Sequence, residues 1–182
     1  MQPRRVLMMT TIAFAFLTSC ASAPAAKPAG DAGNTRPPRD VVAEHLRAAE
    51  AGDWAAANAL LDPGFSMQMK GMPAFATIPA EHALDMHQAR KKAFPDFRFN
   101  EKIDAEDGSL VRIAVYLSGT HTGPLDYPIA EVPKVAATGK TIALPVEYFT
   151  YFVEHDRIVR VFGEIPEGSG PPALKQQLGL PP

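Results

Sequence analysis

An α+β fold is what this sequence predicts, on three observations. Apolar residues recur at helical spacing through the first half of the region able to fold, and they alternate at strand spacing through the second half. Turn signals separate the later segments at hairpin distances. Helices grouped first, with an antiparallel run of strands after them, is the α+β arrangement.

Each element has its own warrant. Asp40 to Ala51 carries Val41, Val42, His45, Leu46 and Ala49 on one stripe, with Pro37-Pro38 before it and Gly52 after it as start and stop. Asp53 caps a second helix through Trp54, Ala57, Leu60 and Leu61, which halts at Asp62-Pro63-Gly64. Phe65 to Met69 alternates as a short strand. Pro79 opens a third helix that runs through Leu84, Met86, His87 and Arg90 towards Phe94, where Pro95 ends it. Four strands follow: Phe97 to Ile103, Leu110 to Gly119 after the Asp107-Gly108 turn, Thr141 to Val153, and Arg157 to Ile165 after a tight turn at Glu154-His155-Asp156. Pro172 to Leu178 reads as a final short helix.

The N-terminus reads as a processing signal. Arg4 and Arg5 precede an uncharged run of 12 residues, Val6 to Leu17, which is too short to span a bilayer. Leu17-Thr18-Ser19-Cys20 resembles a bacterial lipobox, in which the cysteine is acylated and becomes the first mature residue; Cys20 is the only cysteine. The expected organisation is therefore a lipoprotein signal over 1–19, a disordered Ala/Pro/Gly-rich tether over 20–38, and one domain over 39–182. The implied location is the bacterial cell envelope, lipid-anchored. In a Gram-negative cell this is the periplasmic side of the outer membrane, since Ala21 replaces the aspartate associated with inner-membrane retention. Removing 1–19 leaves 16 Lys+Arg against 20 Asp+Glu, which disfavours nucleic acid as a partner of the domain.

Four phrases punctuate the second half: Ala93-Phe94-Pro95-Asp96-Phe97, Gly119-Thr120-His121-Thr122-Gly123, Thr138-Gly139-Lys140 and Gln176-Gln177-Leu178-Gly179. In this order the chain resembles the SnoaL-like polyketide cyclase (ester cyclase) branch of the nuclear transport factor 2-like superfamily, over roughly residues 39 to 180. The resemblance implies three helices packed on a strongly curved antiparallel sheet, forming a cone around a deep cavity, and often a homodimer through the sheet. Members commonly carry an aromatic residue in the last strand and an acid/base aspartate about four positions on. Phe162 matches the aromatic; the later position is Pro166, flanked by Glu164 and Glu167, and no aspartate follows Asp156.

His121, Glu164 and Glu147 are the catalytic candidates. His121 continues the parity of Val111, Ile113, Val115 and Leu117, so an extended strand would carry it to the same apolar face. It would then act as a proton donor or acceptor, or else as a hydrogen-bonded turn residue. A glutamate facing an apolar cavity would have a raised pKa suited to acid/base work; on the outer face it would simply be solvated. Glu147 keeps parity with Phe149, Tyr151 and Val153, and Glu164 with Ile158, Arg160 and Phe162. Because Val159, Val161 and Ile165 are equally apolar, alternation leaves the inner face of the last strand open.

His87, Met86, Trp54, Met67, Met69, Tyr148 and Phe162 are the candidate cavity lining. Met67, Met69 and Met72 would suit a soft metal, but no cysteine or nearby histidine accompanies them, and they read as flexible apolar lining. No metal or cofactor is expected. The long segment from Thr122 to Lys140 reads as a lid or contact surface at the cavity mouth. No phosphate loop, Gly-x-Ser-x-Gly elbow or His-Glu-x-x-His occurs. Three functions stay open: a membrane-anchored module binding a small hydrophobic molecule, an acid/base enzyme of the cyclase, isomerase or hydratase type using His121 and a glutamate, and an interaction domain.

Overall fold

A computed structural model describes residues 33–73, 76–127 and 132–181. Cys20, the signal segment and most of the tether lie outside the described residues. Helices α1 (Pro38–Ala51), α2 (Trp54–Ala59) and α3 (Ala80–Ala93) precede most of the strands, and α4 (Gly170–Leu178) closes the chain. The α1 stripe is the predicted one: Val41, Val42, His45, Leu46 and Ala49 are its buried residues. Gly52 takes the left-handed conformation that ends α1, with φ 77°. The Asp53 carboxylate accepts from the Ala56 amide and caps α2.

Six strands form the main sheet, in the order β2 (Ile78–Pro79), β1 (Leu61–Met69), β8 (Arg157–Glu164), β7 (Glu147–Glu154), β4 (Leu110–Val115), β3 (Lys102–Asp107). Only the β1–β8 pair is parallel. A small second sheet pairs β5 (Ser118–Thr120) with β6 (Thr141–Ala143). Helices packed on a curved, largely antiparallel sheet make the α+β fold that was expected.

Three strands are shorter than their sequence pattern. Phe97 and Phe99 are buried but precede β3, and Asn100 has φ 47°, which breaks the extended run. The strand from Leu110 stops at Val115 and resumes only at Ser118; the strand from Thr141 is interrupted across Leu144-Pro145-Val146, where proline removes a ladder donor.

At the other end of the sheet, β7 and β8 are joined through His155 and Asp156, with φ 50° and 59°. Both central residues at positive φ are what a two-residue hairpin with the sheet's own twist requires. Asp156 there holds the incoming chain. Its carboxylate accepts from the amides of Thr35 (2.8 Å) and Arg36 (3.0 Å), and Asn34 bonds Val153 O and Asp156 N. Residues 34–36, expected to belong to the tether, are therefore fastened to the domain.

Candidate functional site

The helix-facing side of the sheet presents Glu147, Phe149, Tyr151 and Val153 from β7, opposite Val115, Ile113 and Val111 from β4. In β8 it presents Ile158, Val161 and Gly163, which do not share parity. The register between β7 and β8 slips at Phe152/Val153, so Val153 faces Ile158 while Phe152 faces Arg160, and Val159 is the extra residue. This bulge resolves the ambiguity of the last strand.

A cavity of about 620 Å³ opens between this face, α3, α4 and the loop from Thr122 to Lys140. Met67, Met69 and Met86 line it together with Phe97, Leu117 and Phe149. Gly163 makes the room: a Cβ there would meet the Met69 sulfur at 2.6 Å and the Phe149 ring at 3.0 Å. The exposed lining residues Lys70, His82, Asp85 and Ile165 mark the mouth. A smaller hollow deeper in, of about 60 Å³, shares Met86, Arg90, Glu147 and Phe149 with the main cavity and adds His45, His87 and Tyr151.

Polar groups concentrate where the two hollows meet. Glu147 is 5 % exposed, and burial raises its carboxyl pKa, against the opposing pull of the Arg90 charge and the Gly170 amide. Arg90 approaches on α3. It donates to Nδ1 of His87 at 3.1 Å and to the Tyr127 hydroxyl, and its guanidinium lies over the Phe97 ring, 5.1 Å from the centroid. An arginine on Nδ1 leaves the His87 proton on Nε2, and burial, then the Arg90 charge, hold His87 well below its ordinary pKa. His45 donates Nδ1–H to Ala57 O at 3.0 Å, and burial lowers its pKa against the opposing pull of that bond.

Several sequence candidates fall elsewhere. His121 is 0 % exposed, yet it does not line the cavity. Its Nδ1 faces Thr138 (Oγ1 at 3.0 Å, N at 3.3 Å) and its ring lies on Phe94, centroids 5.1 Å apart. No hydrogen bond joins it to Glu147 or Glu164, so the proposed proton-shuttling pair is not assembled. Because β4 ends at Val115, strand parity does not carry as far as His121.

Glu164 and Phe162 are corrected by the bulge, which turns both to the outer face. Glu164 pairs there with Lys70 (2.8 Å) and Arg112 (3.0 Å), and the Lys70 hydrogen bond foremost lowers its pKa. Tyr148 is also on the outer face, under the Arg112 guanidinium at 4.6 Å. Trp54 packs at the start of α2 beside Lys91, outside the main cavity. His87 lines the deep hollow only. Arg90, Tyr127 and Gly163 were not singled out as site residues from sequence; a charged residue on a helix ordinarily reads as solvated, and a loop tyrosine carries no spacing signal.

The four sequence phrases mainly interlock, and of their residues Phe94 and Phe97 alone reach the cavity wall. Asp96 accepts from the Thr120 amide (2.7 Å) and hydroxyl (2.8 Å), and Ala93 O accepts from the amides of Thr122 and Gly123. The His121 amide donates to Lys140 O, and the Gly139 amide to His121 O. Gln177 bonds both Ala143 N and O, and Lys140 Nζ donates to Leu178 O.

The family model for the SnoaL-like polyketide cyclases matches residues 39–165. The chain belongs to this family. Among solved structures, the SnoaL-like domain is similar to AclR from Streptomyces galilaeus, a proposed hydroxylase, at 15 % identity and TM-score 0.59, covering 80 % of this chain and 83 % of that one. It is similar to IdmH from Streptomyces antibioticus, a proposed polyketide cyclase, at 22 % identity and TM-score 0.57, covering 70 % and 91 %. TsrD from Streptomyces laurentii gives 17 % identity and TM-score 0.56, covering 78 % and 93 %. These likenesses establish the fold. No curated protein matches the chain.

Glu147 makes the stability of this SnoaL-like domain depend on pH. The folded carboxyl keeps its proton to higher pH than the unfolded one, so the folded state binds more protons above the ordinary carboxylate range. Stability contributed by the protonated form is therefore lost as pH rises through the folded pKa. Glu147→Gln should be more stable than the parent near neutral pH, and the gap should close in acid. Denaturant midpoints at the two pH values check this; a variant weaker than the parent near neutrality would reverse the assignment.

Proposed function

We propose that this SnoaL-like domain is a membrane-anchored module that binds a small hydrophobic molecule carrying a polar end. The cavity carries the reading. Its volume of about 620 Å³ is in the range of small-molecule sites, roughly 300–1,000 Å³. Methionine and aromatic walls suit an apolar body of variable shape, and Glu147, Arg90 and Tyr127 supply hydrogen-bonding groups at one depth. Acylation of Cys20 would hold the domain in the cell envelope.

The test is native mass spectrometry of the full chain isolated from membranes. A co-purifying apolar molecule is expected, and Met86→Trp, which fills the cavity from α3, should remove nearly all of it. An empty cavity in the membrane-derived protein would refute the reading. Cys20→Ser should move the protein to the soluble fraction.

Acid/base catalysis is the second reading, and it rests on Glu147 alone. A buried carboxylate with no side-chain hydrogen bond among the described residues, beside a guanidinium and a phenol that can hold a carbonyl oxygen, has the parts for proton abstraction next to a carbonyl. Turnover of the bound molecule that stops in Glu147→Gln, while binding persists, would favour it.

A further inference from the structure

We infer that the polar end of the ligand is an anionic carboxylate, received by Arg90. The inference rests on the binding reading above and names the ligand class. Arg90 projects from α3 into both hollows. A guanidinium has five N–H donors. Among the described residues, His87 Nδ1 and the Tyr127 hydroxyl take two of them, and both acceptors are neutral. Neither Arg90 nor Glu147 takes part in any ion pair among the described residues. Three donors therefore remain for an oxygen acid.

The surroundings strengthen that demand. The Phe97 and Tyr127 rings lie 5.1 and 5.5 Å from the guanidinium carbon and hold it in an apolar setting. A positive charge there interacts more strongly than in water, and a planar guanidinium matches the two oxygens of a carboxylate. His87 and Tyr127 fix its orientation beforehand, so little ordering is needed on binding. Among the described residues, Glu147 is the one buried acid, and its carboxyl feels the Arg90 charge. It opposes a second carboxylate when ionised and tolerates it when protonated. An amphipathic monocarboxylic acid, apolar chain against the methionines and headgroup on Arg90, satisfies the whole lining.

The experiment compares dodecanoic acid with its methyl ester on the delipidated full chain by isothermal titration calorimetry near neutral pH. The acid should bind about tenfold tighter than the ester or better, as expected for one charge-assisted hydrogen-bonded pair. Arg90→Gln should erase the preference, and Arg90→Lys should keep part of it. Glu147→Gln should widen the preference, since the competing negative charge is gone; that arm still decides the matter if Arg90→Gln fails to fold. Equal binding of acid and ester, or a preference that survives Arg90→Gln, would overturn the carboxylate assignment and leave the cavity reading standing. Failure of both compounds to bind would overturn the two together.

Discussion

Phe94→Ala will lower the unfolding free energy by about 3–5 kcal/mol, the range for removing a buried phenylalanine. Phe94 is 1 % exposed and caps α3, so its removal leaves a hole at a fixed helix end. One side of the ring meets His121; the other forms part of the cavity wall. The loss has two separable parts. Phe94→Leu retains most of the apolar volume and removes the ring pairing, so it should cost much less. A double-mutant cycle with His121→Ala should give a coupling of about 0.5–1.5 kcal/mol, as for other packed ring pairs. Denaturant unfolding measures all four proteins. A loss below about 1 kcal/mol for Phe94→Ala would mean that the wall collapses freely, and zero coupling would mean that the ring pair contributes nothing.

Gly123→Ala will cost roughly 3 kcal/mol, at the upper end for overpacking. A Cβ at Gly123 would overlap the carbonyl oxygen of Lys92, a backbone atom in the last turn of α3 that no rotamer change can move. The adjacent amides of Thr122 and Gly123 both donate to Ala93 O, so relief by shifting the loop would also break those bonds. Gly64→Ala is the control: its φ is not positive, and the nearest atom is the end of the Asp62 side chain at 3.2 Å. It should change stability by less than about 1 kcal/mol. Thermal unfolding of both variants suffices, and equal melting temperatures would remove the steric argument for the second glycine of Gly-Thr-His-Thr-Gly.

These two residues show why the fold was more legible than the site. The α1 stripe follows from helical geometry alone, because every turn of a regular helix repeats the same directions. Parity along a strand propagates only while the strand is unbroken. It grouped Glu147 with Phe149, Tyr151 and Val153, and one continuous β7 keeps all four on the helix-facing side. It misplaced His121, since β4 ends at Val115 before that residue is reached. Phe162 and Glu164 were undecidable because one extra residue at Val159 exchanges the faces of β8. Arg90 stood in the predicted third helix, but its meaning depends on Tyr127 and Phe97, which arrive from distant segments. The family phrases identified the family through backbone packing, which is what their glycines and Asp96 serve.

The clasp between Asn34, Thr35, Arg36 and Asp156 fixes where the chain departs from the domain. It sits at the turn of the β7–β8 hairpin, whereas Glu147 and Ile165, at the hairpin's open end, border the cavity. A strand of eight residues separates the two places by roughly 25 Å. The chain upstream of residue 33 therefore joins the domain at the end of this hairpin opposite the cavity mouth.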